Sequence, residues 1–150
     1  LEAGTAWGND KDYLAELYGY AATDCFKRDH SALLIWSGCI EDKGITVDAP
    51  TYSLDIQPTL SNLFGVKYDA RMFAGRDVFS EQLPLVVWTS YSWMTDKGRY
   101  DAATGVFTPN EGVTVPEGYE DTVESIVRNK LYFSRVVLRQ DYYDTLPGTD

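Results

Sequence analysis

Catalysis or metal binding needs carboxylates, imidazoles, thiols or hydroxyls gathered around one point. The chain holds one histidine, His30, and two cysteines, Cys25 and Cys39. A histidine-rich metal site is therefore excluded within it. Asp29-His30 is an Asp-His pair of the kind that can ligate a divalent cation, but it directly precedes an apolar run. A surface histidine at a strand edge is the expected role. Asp55 opens a helix-like segment, so a capping carboxylate is expected there rather than a reactive one. Arg76-Asp77 follows Gly75 and is expected to form a structural ion pair beside a turn; the competing role is a guanidinium that binds phosphate. Cys25 and Cys39 fit either a disulfide or two unrelated thiols. Gly4, Thr5 and Gly8 lack the spacing of a phosphate loop. Trp88, Tyr91, Trp93, Tyr100 and Phe107 lie close in sequence. Their faces can stack on sugar rings or pack across a hairpin, and the hairpin is the preferred reading. No residue earns a catalytic or metal-ligating role on these grounds, and substrate-binding residues are unknown.

Composition narrows the partners. Thirteen basic against 23 acidic residues give a net charge of -10. Nucleic-acid binding needs a basic face, so that partner is excluded; direct docking on anionic lipid is disfavoured for the same reason. Hydrophobic residues make up 44% and charged residues 24%, as in folded globular domains. No apolar run is long enough to span a membrane, and no secretory signal pattern is present. The start at Leu1-Glu2 rather than Met is expected of a processed product or an excised segment, with Leu1-Glu2 as a cloning scar. Leu146-Pro147-Gly148-Thr149-Asp150 resembles a sortase signal but has Asp150 where Gly is needed, and no hydrophobic tail.

The elements that must position these residues can be read from periodicity and punctuation. Asn9 or Asp10 can cap a short helix over residues 11–18, with Leu14, Leu17 and Tyr18 on one face and Gly19 at its end. Residues 23–28 suit another helical turn. The run 32–37 is continuously apolar and stopped by Gly38, which predicts a strand covered on both faces. A short segment, 45–47, follows Gly44. Residues 53–65 read as a helix capped by Ser53 or Asp55, with Pro58 in the first turn and Gly65 at the end. Its expected apolar face is Ile56, Leu60, Leu63 and Phe64. Residues 85–88 predict a second buried strand, with 91–95 as its hairpin partner. Residues 99–101 and 105–108 predict an antiparallel hairpin. After a Pro/Gly-rich connection, residues 119–142 show a helical period, acidic early and basic late, as the helix dipole favours. The expected fold is α/β: a mixed sheet with flanking helices and a long C-terminal helix, with strands and short helices over 10–110.

Three segments carry a family resemblance. They are Ala32-Leu33-Leu34-Ile35-Trp36-Ser37-Gly38; Tyr52-Ser53-Leu54-Asp55-Ile56-Gln57-Pro58-Thr59-Leu60 with Ser61-Asn62-Leu63-Phe64-Gly65; and Phe73-Ala74-Gly75-Arg76-Asp77-Val78-Phe79-Ser80. In order and spacing they resemble the C-terminal part of lipoteichoic-acid-synthase-like phosphoglycerol transferases of the sulfatase/alkaline phosphatase superfamily. Residues 92–100, Thr104-Gly105 and 107–110 are similar to the tail of such enzymes, and the resemblance covers roughly residues 10–143. It implies a membrane-anchored enzyme on the extracellular face of a Gram-positive cell. A divalent metal, manganese or similar, and a Thr nucleophile would move phosphoglycerol from lipid to polymer. The metal would lower the nucleophile's pKa and offset phosphoryl charge.

In that family the metal ligands end at an Asp-His pair just before the region matching Asn9. Residues 1–9 contain no such pair, so no catalytic residue, metal ligand or cofactor is carried over onto this chain. The resemblance makes the missing N-terminal half of the domain the expected partner. Without it, exposed Leu33, Leu34 and Ile35 are expected to favour a homodimer. The alternative reading is a stand-alone structural or cell-wall glycopolymer-binding module derived from the same fold.

Overall fold

The computed structural model describes residues 13–20, 24–39 and 44–142. The chain divides into two compact units, Leu1–Ile45 and Thr46–Asp150.

In the first unit, helix α1 spans Tyr13–Tyr18. The start expected at Lys11, its capping Asn9 or Asp10, and the side chain of Leu14 lie outside the described residues. Gly19 adopts φ 71° and its N–H donates to the Ala15 carbonyl at 2.8 Å, the left-handed stop a helix end favours. Helix α2 spans Cys25–Arg28. The Asp24 carboxylate caps it, accepting from the Phe26 and Lys27 N–H groups at 3.1 and 3.3 Å.

The strand expected over residues 32–37 does not form. Leu34 and Trp36 are 92% and 89% exposed. A continuously apolar strand is held by a ladder on its edges and by layers on both faces. Among the described residues of this unit none belongs to a strand, so the run has apolar character but no ladder. No disulfide joins Cys25 to Cys39.

The second unit is built on an antiparallel meander. Strands β1 (Val86–Val87), β2 (Trp93–Thr95), β3 (Gly98–Asp101) and β4 (Val106–Pro109) pair in sequence order. Register places Val87 opposite Trp93, Trp93 opposite Tyr100, and Tyr100 opposite Phe107. The two hairpins follow the sequence reading. The sheet is purely antiparallel rather than mixed, because links this short join only antiparallel neighbours.

Helix α4, Tyr119–Arg139, ends slightly short of the expected residue 142. Val123 and Val127, each 1% exposed, pack with Leu85 and with fully buried Trp93. The Trp93 ring stacks on Tyr100 at 5.7 Å and lies 5.3 Å from Phe107 and 6.4 Å from Tyr119. Tyr119 Oη donates to Thr95 Oγ1 at 2.8 Å. That bond satisfies a hydroxyl in a threonine with 0% exposure and ties the start of α4 to β2. Glu120 and Asp121 in the first turn and Arg139 in the last complement the dipole. Their contribution is about 0.3–1 kcal/mol each, so the aromatic core holds the helix in place.

Trp93→Ala is expected to cost about 3–5 kcal/mol through lost burial and a residual cavity. Leu138→Ala, at a position 80% exposed, is expected to change stability by less than about 0.5 kcal/mol. Urea unfolding followed by far-UV circular dichroism checks both.

Candidate functional site

The polar features of the second unit concentrate where two of the sequence motifs meet. A single 3-10 turn, Ser53–Asp55, leads into helix α3, Ile56–Leu63, and Gly65 ends the segment at φ 65°. The expected apolar face is not the buried one. Phe64 is 78% and Leu63 42% exposed, whereas Asp55 and Thr59 are each 3% exposed and Pro58 is buried. The reason is the neighbour. This face meets the backbone of residues 75–78, which needs hydrogen-bond acceptors rather than hydrocarbon.

Each acceptor has a defined donor. Asp55 Oδ1 accepts from the Arg76 N–H at 2.8 Å, and Oδ2 accepts from the Tyr52 N–H at 3.2 Å. Thr59 Oγ1 accepts from the Val78 N–H at 3.1 Å and donates to the Asp55 carbonyl at 2.6 Å. Asn62 Nδ2 donates to Asp77 Oδ2 at 2.7 Å, and Asp77 Oδ1 accepts from the Phe79 N–H at 3.1 Å. Gly75 lies so close that an added Cβ would overlap the Leu54 carbonyl. Asp55 stands at the N-cap of α3 but makes no side-chain cap bond into that helix; its carboxylate instead reaches back to Tyr52 and across to Arg76. Ser53 is the first residue of the 3-10 turn, and the cap position before it is Tyr52.

Arg76 departs from the sequence reading. Its guanidinium does not pair with the Asp77 carboxylate. Nη1 donates to the carbonyls of Asp77 and Val78 at 3.3 and 3.2 Å. Nε and Nη2 are buried without a hydrogen-bond partner, and the residue is 7% exposed.

Beside this junction lies a cavity of about 200 Å³ lined by Tyr52, Asp55, Arg76, Leu85, Ile126 and Lys130. Lys130 Nζ donates to the Ala74 carbonyl. Burial pulls its pKa below the ordinary lysine value, and nearby Asp55 opposes that shift. Burial, then the Asp55 charge, push the Tyr52 phenol up to about 12. These groups fasten three segments together: the turn before α3, the loop of residues 74–78, and α4. They do not present a nucleophile beside a base.

The other residues singled out in the sequence are dispersed. The Asp29 carboxylate is held by Arg28 at 2.7 Å, and His30 is exposed. Trp93 is core; Tyr100 and Phe107 pack against it. These three therefore follow the hairpin reading, while Tyr91 stays 41% exposed. Among the described residues no group of three His, Cys, Asp or Glu side chains is placed to hold a metal ion. None of their helices is long and apolar enough to cross a membrane.

Comparison with protein-family models, with curated proteins and with solved structures finds no match to this chain. The junction therefore has to be interpreted from its own geometry. Tyr52, Thr59, Asn62 and Lys130 are participants that sequence reading did not single out. Thr59 sits beside Pro58 in a helix start and reads as filler. Lys130 lies far along the chain, and nothing local marks its contact with Ala74.

Asp55→Asn is expected to destabilise the protein by about 1–3 kcal/mol, because a buried backbone N–H loses a charged acceptor. Gly75→Ala is expected to cost at least about 1 kcal/mol through displacement of the Leu54 backbone. Chemical denaturation measures both. The raised Tyr52 pKa fixes a third sign. Above pH 10 the unfolded phenol ionises before the folded one, so stability is lost as pH rises from 10 towards 12. Tyr52→Phe lacks that loss. Denaturation at pH 9 and pH 11.5 should show wild type losing ground relative to the variant.

Proposed function

We propose that this chain is the C-terminal segment of an extracellular, metal-dependent phosphoglycerol transferase, similar to lipoteichoic acid synthases of the sulfatase/alkaline phosphatase superfamily. In this reading the chain is scaffold for a catalytic centre whose ligands lie outside it. One observation carries the reading. Two segments of the resemblance, 20 residues apart from Asp55 to Gly75, lock onto each other through Asp55, Thr59, Asn62 and Gly75. Motif residues that exist for one another form one structural unit, as a shared fold requires.

Among the described residues, no carboxylate group is arranged to fit a manganese ion. Asp29 is engaged by Arg28, the Asp55 oxygens accept backbone N–H groups, and no described cluster offers the oxygen-rich set such a hard cation takes. No step of the reaction is therefore assigned to these residues. The exposed apolar run around Leu34 and Trp36 is the surface we assign to the remaining half of the domain. When that half is absent, the same run promotes self-association.

The complete product of the gene that encodes this chain should release glycerol phosphate from phosphatidylglycerol only with manganese present, while the isolated chain holds no metal and shows no turnover. Elemental analysis and a phosphodiester assay on both proteins check this. A complete product that is inactive and metal-free overturns the reading, as does an isolated chain that carries manganese and turns over. Light scattering of the isolated chain should show mass rising with concentration.

A further inference from the structure

A second cleft, about 600 Å³ in volume, lies between α4 and the turn that joins β1 to β2. It shares none of its lining with the Asp55 junction. One wall is a stripe of α4: Glu124, Arg128, Tyr132 and Arg135, spaced so that all face one side of the helix. The facing wall carries Tyr91 and Tyr100.

Tyr91 is held there at a cost. It adopts φ 70°, a left-handed conformation that a bulky residue rarely takes. The turn is pinned by the Tyr91 N–H to the Trp88 carbonyl at 3.0 Å and by the Trp88 N–H to the Ser92 carbonyl at 2.9 Å. Its hydroxyl accepts from Arg135 Nη2 at 3.2 Å, so the two walls are bridged across the cleft. Strain of this kind persists where the surroundings over-determine it and clusters at functional sites. Tyr132 is 63% exposed. Arg128 pairs with Glu124 at 3.2 Å while keeping 73% of its side chain exposed.

We infer that this cleft binds a saccharide carrying an acidic group, a carboxylate or a phosphate. Tyr91 on one wall and Tyr132 on the other are exposed aromatic side chains, of the type that packs on the C–H faces of a sugar ring; the Tyr100 ring is stacked on Trp93. Arg128 donates through Nη2 to Glu124, and Arg135 through Nε to the Leu131 carbonyl and through Nη2 to Tyr91; the remaining guanidinium N–H groups of the two arginines are the donors an oxyanion would take. The volume suits a ligand of a few rings. A purely apolar ligand is disfavoured because charged heads line the mouth. An acidic peptide normally uses a strand edge or an apolar groove for its backbone and side chains, and these walls present side-chain faces instead. The inference is independent of the phosphoglycerol reading, and its test uses no phosphoglycerol.

Isothermal titration calorimetry of the chain at low salt, with tetragalacturonate and with phosphorylated maltotetraose, tests it. Unmodified maltotetraose and tetraglutamate serve as the neutral and peptide comparisons. At least one acidic saccharide should saturate, and it should bind about tenfold or more tighter than either comparison. The stronger of the two identifies the acidic group. Arg135→Gln and Tyr132→Ala should each weaken that binding by about tenfold. Arg139→Gln, which removes the same charge in the exposed last turn of α4, should stay within about twofold. Thermal melts of the variants verify that they fold. No saturation by either acidic saccharide at roughly 5 mM overturns the inference. So does equal binding of maltotetraose or tetraglutamate, or equal weakening by Arg139→Gln and Arg135→Gln.

Discussion

A buried carboxylate must be matched by donors, and Asp55 meets that requirement with two backbone N–H groups, those of Tyr52 and Arg76. Much of the second unit follows from this match. It fixes the 3-10 turn before α3 and sets which face of α3 is covered. It also holds the loop of residues 75–78 against that face, where Thr59 takes the Val78 N–H. Lys130, reaching from α4 to the Ala74 carbonyl, ties the same loop to the long helix. A charge used in this way is structural. Each of its two oxygens accepts one backbone N–H.

The apolar core complements this polar junction. Trp93 lies on the central hairpin and meets Val123 and Val127 from α4, with Tyr100, Phe107 and Tyr119 around it. Leu85, just before β1, belongs to the core, and its side chain also lines the cavity beside Asp55. The two systems therefore share a border. The same sheet and helix also form the walls of the Tyr91–Arg135 cleft on a separate lining, so one scaffold positions both the junction and a candidate saccharide site.

Legibility in the sequence followed the range of the interactions. The hairpins were readable because alternation and the Ala102-Ala103-Thr104-Gly105 turn are local. Helix α4 was readable because its period persists over many residues. The run at 32–37 misled, because apolar character states a need for neighbours without showing that they are there. Helix α3 misled for a different reason. Apolar periodicity pointed to Ile56, Leu63 and Phe64, yet the partner surface is peptide backbone and selects Asp55, Pro58 and Thr59. Of the junction, only the place of Asp55 at a helix start and Gly75 as a turn were visible. The Arg76 contacts with carbonyls and the reach of Lys130 depend on tertiary placement, which local pattern does not encode. The aromatic cluster was half legible: Trp93 is core, whereas Tyr91 stands at a cleft whose other wall comes from α4.

Amide hydrogen exchange, read residue by residue on the native protein, tests the Asp55 junction most directly. The Arg76 and Val78 amides donate to side-chain oxygens in a loop outside regular secondary structure, where amides ordinarily exchange fast. Protection of both at the level of the Val123 and Val127 amides in α4 is the predicted result. Exchange of Arg76 and Val78 at the rate of an unstructured peptide, with α4 still protected, would contradict it.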